Sequence, residues 1–218
     1  MYKYILFDLD GTLIEPKEGI TKCVAYALNK FGIKVKNLDD LTVFIGPPLI
    51  DSFMKYYNMS LDDAKLAVKF YRERFQVNGI LECELYKNVE ETLKKLKKEN
   101  KILLIATSKP EDFTNSILKR LDIYKYFDLI VGATLDGSRG EKSGVIKYAL
   151  DQINIIDLSE VIMVGDRMFD IFGAKKNNID SIGVSYGYAI DNELFESNPT
   201  FIVNDIEDII DIILMKKP

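Results

Sequence analysis

Apolar positions along the chain fall into two textures. Residues 2–9 form a short apolar stretch with Ile5, Leu6 and Phe7 in a row, the pattern of a strand buried on both faces. From about residue 14 to residue 81 the apolar positions recur at helical spacing instead. Ile20, Val24, Ala27, Leu28 and Phe31 predict one helix, with Gly32 as its C-terminal stop. Pro47-Pro48 opens a second that carries Leu49, Phe53, Met54 and Tyr57. Ser60 and Asp63 resemble a capping box for a third, in which Leu61, Ala64, Val68, Tyr71 and Phe75 repeat at three-four spacing. The whole stretch reads as a small helical unit.

Strand and helix then alternate. Val89, Leu93 and Leu96 mark a helix, residues 102–106 a strand, and Pro110 starts a helix through Phe113, Ile117 and Leu121. Residues 127–131, 161–164 and 181–184 predict strands. Val145, Ile146, Ala149 and Ile153 mark one helix between them and residues 168–176 another, and residues 206–214 close the chain as an amphipathic helix. Strands joined by crossover helices imply the α/β class, with a doubly wound, mainly parallel sheet covered on both faces. The first strand belongs to that sheet, although the helical unit separates it from the rest. The unit is therefore an insertion. The expected division is a discontinuous core, 1–13 and 85–218, with an α-helical cap over 14–84. The cap leaves the core at the C-terminal end of strand one, where open α/β sheets bind ligands, and is expected to act as a lid.

Charge and composition narrow the chemistry. The 218 residues include 34 acids against 29 bases, a net charge of -5. An acidic chain is poorly suited to a phosphate backbone or an anionic membrane, so a small-molecule partner is expected and neither nucleic acid nor membrane. Lys94-Lys95 and Lys97-Lys98 read as solvated helix surface. Cys23 and Cys83 lack partners at metal-ligand spacing and read as reduced thiols. A cysteine phosphatase needs an arginine six residues after its thiolate, but Asn29 and Val89 stand there. The chain has no histidine, which removes Ser-His-Asp and Cys-His nucleophiles, histidine bases and histidine-zinc sites together. Acid-base work falls mainly to carboxylates. No apolar run approaches the roughly 20 residues of a membrane span. Asp8 and Asp10 also come too early for a signal-peptide core, so a cytoplasmic location is expected.

Two carboxylates end the first strand, in Asp8-Leu9-Asp10-Gly11-Thr12-Leu13. Asp-Gly is ordinary turn chemistry, which accounts for Asp10-Gly11 but not for an acid at the end of an apolar strand. A metal or an incoming cation would account for Asp8. Gly165-Asp166-Arg167-Met168-Phe169-Asp170 repeats the theme after the strand at 161–164. Asp166 could be only an N-cap, but acids ending two strands of one sheet point more strongly to a shared site for magnesium. Thr107-Ser108 follow the strand at 102–106, where hydroxyls either cap the next helix or hold a phosphate oxygen. Lys142 begins a helix, where a cation opposes the helix dipole. Lys109, Arg139 and Lys142 are the candidate cations near the strand ends, with Lys142 preferred and Arg139 in reserve.

At these residues the sequence resembles the haloacid dehalogenase superfamily of aspartate-based phosphatases. Residues 8–13 look like its first motif, Thr107-Ser108 its second, Lys142 its third and residues 165–170 its fourth. Gly173-Ala174, Ile182-Gly183-Val184, Gly187-Tyr188 and Phe44-Ile45-Gly46-Pro47-Pro48-Leu49 look like the phosphoglycolate-phosphatase-like branch. Tyr86-Lys87-Asn88-Val89 departs from that branch's usual Tyr-Pro-Gly-Val, and Lys142-Ser143-Gly144 lacks prolines that often follow the lysine. The resemblance implies a Rossmann-like core with a helical cap. It implies Mg2+ held by Asp8, the Asp10 carbonyl and Asp166, with Asp8 as nucleophile and Asp10 as acid and base. Thr107, Ser108 and Lys142 would hold the phosphoryl group, Asp170 and Thr12 would stand behind the ligands, and Ile45, Gly46 and Leu49 of the cap would contact substrate. The expected substrate is a small phosphomonoester, phosphoglycolate-like or a nucleoside monophosphate. A phosphomutase or pyrophosphatase is the enzyme alternative. A phosphoaspartate receiver is the non-enzyme alternative, though it has no use for an inserted cap.

Overall fold

The computed structural model describes residues 1–135, 138–153 and 155–215. The chain divides into two compact units, one of Met1–Ile14 with Leu85–Pro218 and one of Glu15–Glu84. The second unit thus begins one residue later than the sequence pattern suggested and ends where it was expected to.

The first unit holds a six-stranded sheet. Its strands are β1 (Tyr4–Phe7), β4 (Ile102–Pro110), β5 (Leu129–Ala133), β6 (Val161–Gly165), β7 (Asp180–Val184) and β8 (Phe201–Val203), in the order β5-β4-β1-β6-β7-β8. Every neighbouring pair is parallel. Phe7 stands opposite Ile105 on one side and Val164 on the other. Two-residue strands β2 (Ile14–Glu15) and β3 (Glu84–Leu85) form a separate pair. The crossover helices are α4 (Val89–Lys98), α5 (Glu111–Arg120), α6 (Lys142–Ile153) and α7 (Met168–Lys176), with a short α8 (Glu193–Glu196) and a terminal α9 (Ile209–Leu214).

Strand side chains alternate between two buried layers. Leu6, Leu104, Ala106, Val131 and Met163 pack with Val145, Ile146 and Ala149 of α6 and Ala174 of α7. The intervening Ile5, Phe7, Leu103, Ile105, Ile162 and Val164 are also fully buried. Burial on both faces is why the strands read as unbroken apolar runs. Each such side chain contributes about 1.5–3 kcal/mol of transfer free energy. The chain runs outward from β1 through β4 to β5, then crosses back and runs the other way through β6, β7 and β8. The reversal puts the switch point between β1 and β6, where an open sheet leaves a crevice at its carboxyl ends.

Three details differ from the pattern-based reading. β4 does not stop at Ala106 but continues to Pro110, with a shift in its pairing to β5 between those residues. Thr107, Ser108 and Lys109 therefore lie in an irregular strand end that re-aims their side chains. The closing helix is a 3-10 turn at Ile206–Asp208 followed by the shorter α9. β8 and α8 were not foreseen, because three or four residues are too few to display a period.

The second unit contains α1 (Lys17–Lys30), a 3-10 segment (Leu38–Phe44), α2 (Leu49–Tyr57), α3 (Leu61–Arg74) and a π-helical turn (Phe75–Gly79). α1 packs on α3, and α2 packs on α3 as well. Ser60 caps α3 by accepting from the Asp63 N–H at 3.1 Å, as its spacing predicts. Arg74 ties the return of the chain through a two-pronged ion pair to Glu82, at 2.7 and 2.9 Å. Phe44 meets Phe53 edge-on at 4.9 Å. Between them, Ile45 is fully buried, whereas Leu49 at the start of α2 is half-buried.

Candidate active site

Asp8 is the first residue past β1, and its N–H still donates to Val164 O at 2.9 Å, so β6 fixes its backbone. The chain then turns at Gly11, whose φ of +80° suits glycine. A β-carbon there would also lie 2.2 Å from Asp166 Oδ2, so the bare backbone is what lets Asp166 approach. Asp166 follows β6 directly and is fully buried. Thr12 Oγ1 donates to its Oδ1 at 3.3 Å, and the Tyr188 N–H donates to its Oδ2 at 2.7 Å. Asp170 sits in the first turn of α7, and its Oδ2 accepts from the Arg167 N–H at 3.1 Å. That bond satisfies one of the helix's unpaired N-terminal donors. One oxygen of each of Asp8, Asp166 and Asp170 lies within 4.8 Å of the others.

Lys142, the first residue of α6, reaches into this cluster. Its Nζ is 2.6 Å from Asp8 Oδ1 and 2.8 Å from Asp170 Oδ1 and donates to Ala106 O at 3.2 Å. The two carboxylate contacts are short ion pairs, although among the described residues neither Oδ1 accepts a well-aligned hydrogen bond. These partners explain a cation at a helix N-terminus, where the dipole alone disfavours it.

The charges do not balance. Burial pushes the Lys142 ammonium toward losing its proton, but Asp170 and Asp8 outweigh burial and hold it protonated beyond the ordinary lysine range. Burial, with Asp8 adding to it, raises the Asp170 carboxyl to about 6 against the pull of Lys142. Burial, then Asp170 and Asp8, drives Asp166 well above the usual carboxylate range. Asp8 and Asp170 thus share one ammonium, while Asp166 beside them is offset only by the Tyr188 amide and Arg167. Hard oxygen donors with excess negative charge suit a magnesium ion, which usually takes one or two carboxylates together with waters and substrate oxygens.

Asp10 points elsewhere. Its Oδ2 accepts from Lys109 Nζ at 2.6 Å, and both side chains are largely buried. Its Oδ1 has no hydrogen-bond donor among the described residues. Burial raises its carboxyl, Lys109 opposes this, and Asp8 adds to the rise. Thr107 is buried, and its Oγ1 accepts from the Lys109 N–H at 3.2 Å. Ser108 is half-buried beside it.

The structure therefore brings Asp8, Asp166, Asp170 and Lys142 together and joins Thr12 to them through Asp166. Asp170 pairs with Lys142 and stands close to the other two carboxylates. Of the three candidate cations, Lys142 joins the acids and Lys109 pairs with Asp10. Arg139 is engaged away from them: its guanidinium donates to Gly132 O and Glu111, each at 3.0 Å, and lies over the Tyr148 ring. Ile45, Gly46 and Leu49 belong to the second unit. Sequence reasoning did not foresee the Lys109–Asp10 pair or the Tyr188 amide on Asp166. Gly187 was the one signal for the amide, marking a point where backbone closely approaches the site.

Residues 5–184 match the haloacid dehalogenase-like hydrolase family. The chain belongs to that family. It is 40% identical over 205 residues to a 5'-nucleotidase of Pseudomonas aeruginosa, covering 94% of this chain and 92% of the relative. It is 33% identical over 201 residues to the tyrosine-protein kinase PtkA of Mycobacterium tuberculosis, covering 92% of this chain and 68% of that protein. A crystal structure from Clostridium acetobutylicum, described as a "predicted phosphatase", superposes with a TM-score of 0.94 at 45% identity. That match covers 98% of this chain and 99% of the other. The chain is accordingly an enzyme of the phosphoric monoester hydrolase class.

Proposed function

We propose that the enzyme is a magnesium-dependent phosphatase of small phosphomonoesters that works through an aspartyl-phosphate on Asp8. The observation that carries this reading is the convergence of Asp8, Asp166 and Asp170, with Lys142 paired to Asp8 and Asp170, while Asp10 pairs with Lys109. Magnesium would be held by Asp8, Asp166 and the Asp10 carbonyl, with Asp170 steadying the set, and would offset the charge of the phosphoryl oxygens.

The residues themselves then divide the work. Lys142 holds Asp8 in place through an ion pair of 2.6 Å. The Asp8 carboxylate attacks phosphorus, and the bond from phosphorus to the leaving oxygen breaks. Asp10, in its protonated form, gives that oxygen its proton. Burial, which raises the Asp10 carboxyl, favours this form. As a carboxylate, Asp10 then takes a proton from water, and the resulting hydroxide attacks the phosphorus of the acyl phosphate. Phosphate leaves and Asp8 is restored. Thr107, Ser108 and the amides after Asp8 would steady the phosphoryl oxygens.

The name of the Pseudomonas relative puts nucleoside monophosphates first among substrates, with phosphoglycolate next. Substrate discrimination is assigned to the loop around Gly46 and Leu49. Ile45 is a poor probe of that role because it is fully buried. The test is phosphate release from a panel of phosphorylated metabolites, including pyrophosphate, with magnesium and with chelator. Asp8→Asn should abolish release and remove the label trapped on the protein from radioactive substrate. Ordinary turnover by a folded Asp8→Asn protein, or full activity in excess chelator, would refute the reading. Isomerisation of a phosphosugar without release of phosphate would replace it with a mutase.

A further inference from the structure

We propose that the turn Tyr186-Gly187-Tyr188, after β7, is a clamp that sets the orientation of Asp166 as a metal ligand; this rests on the magnesium reading above. Three contacts carry the proposal. The Tyr188 N–H donates to Asp166 Oδ2 at 2.7 Å. Gly187 lies so close that a β-carbon on it would fall 2.3 Å from Asp166 Cβ, 2.4 Å from its Oδ2 and 2.5 Å from Gly11 O. The Tyr186 hydroxyl donates to Thr12 O at 2.7 Å, and Thr12 Oγ1 in turn donates to Asp166 Oδ1 at 3.3 Å. The Tyr186 ring is steadied edge-on by Tyr86, with centroids 4.9 Å apart.

Asp166 is thus gripped through both oxygens from two directions. The turn after β7 supplies the amide directly, and through the Tyr186 hydroxyl it also braces the turn that carries Thr12. The grip is needed because Asp8 and Asp170 repel Asp166, and an unrestrained carboxylate would swing away from them. Each carboxylate oxygen has two lone pairs, so one bond per oxygen leaves the rest available to a cation. Outer bonds of this kind fix a ligand's angle before the ion arrives.

The test measures magnesium binding by calorimetry on chelator-stripped full-length protein without substrate, so it does not depend on turnover. Gly187→Ala forces the turn off Asp166, and Tyr186→Phe removes only the hydroxyl bridge to Thr12. Ile182→Val, in the buried core of β7, controls for general loosening of that strand. Gly187→Ala should weaken magnesium binding by about 10- to 100-fold and Tyr186→Phe by about tenfold, the usual range for outer partners of a metal ligand. In Tyr186→Phe, the magnesium concentration that half-saturates turnover should rise in step with the weaker binding. Ile182→Val should bind within about twofold of the parent.

Affinity within about twofold of parental in Gly187→Ala would overturn the clamp and leave the magnesium reading standing. Should Gly187→Ala fail to fold, the same result in Tyr186→Phe decides the matter. Equal weakening in Ile182→Val would also overturn the clamp, as mere loosening of β7. No magnesium binding by the parent would overturn the clamp and the magnesium reading together.

Discussion

Replacing Lys142 with methionine keeps the length of the side chain and removes its charge. Lys142 is 6% exposed at its side chain, and its partners Asp8 and Asp170 are 8% and 1% exposed. At 2.6 and 2.8 Å, each pair is worth roughly 6 kcal/mol of Coulomb energy at an effective dielectric of about 20. That gross figure is not the net loss, because the variant can relieve its charge by protonating a carboxylate. Protonating one acid of ordinary pKa at neutral pH costs about 4 kcal/mol, at 1.36 kcal/mol per unit. Loss of one partner from a buried pair typically costs about 3–5 kcal/mol, which agrees with that limit. For a chain of this size each kcal/mol moves Tm by about 2–4 °C, so the drop should be about 6–20 °C. The assay is calorimetric unfolding in chelator, comparing parent, Lys142→Met and the charge-retaining Lys142→Arg. The loss in Lys142→Met should narrow at about pH 5, where the raised carboxyl of Asp170 takes its proton without cost. A loss below about 1 kcal/mol at neutral pH, typical of a surface pair, would refute the view that Lys142 neutralises the cluster.

Three further outcomes are expected. The Asp170 carboxyl is raised to about 6 in the folded protein, above its unfolded value, so the native state binds that proton more tightly. Its cost is therefore fully present above about pH 6 and is relieved as pH falls, so in chelator Tm should rise from neutral toward about pH 5; an undiminished rise in Asp170→Asn would contradict this. Lys109→Met frees Asp10 from its ion pair and should lower kcat by about 100-fold, the low end of a general acid-base contribution, without changing magnesium affinity; unchanged kcat would show the pair to be idle. Leu49→Ala should reorder a substrate panel, and a uniform loss on every substrate would remove the loop around Gly46 from discrimination.

The sequence by itself determined the elements and much of the chemistry. Unbroken apolar runs such as Ile5-Leu6-Phe7 announce strands covered on both faces, because nothing on them needs water. Ser60 and Asp63 announce the start of α3, because a cap acts across three residues and needs no tertiary partner. Acids ending two apolar strands announce a site, because an isolated carboxylate there would be too costly to leave unpaired. The tertiary structure alone decided how those acids are shared out. Asp8 and Asp10 are two residues apart, yet one meets Lys142 and the other Lys109, because the irregular end of β4 and the first turn of α6 deliver the lysines from different directions. Asp170 lies one helical turn after Asp166 along the chain, and only the fold shows that its carboxylate meets Lys142, which α6 supplies. The Tyr188 amide on Asp166 carries no side-chain signature at all. Spacing records what lies along the chain, whereas distances between chain segments depend on how strands register and where loops return, and those are fixed only when the sheet closes its packing.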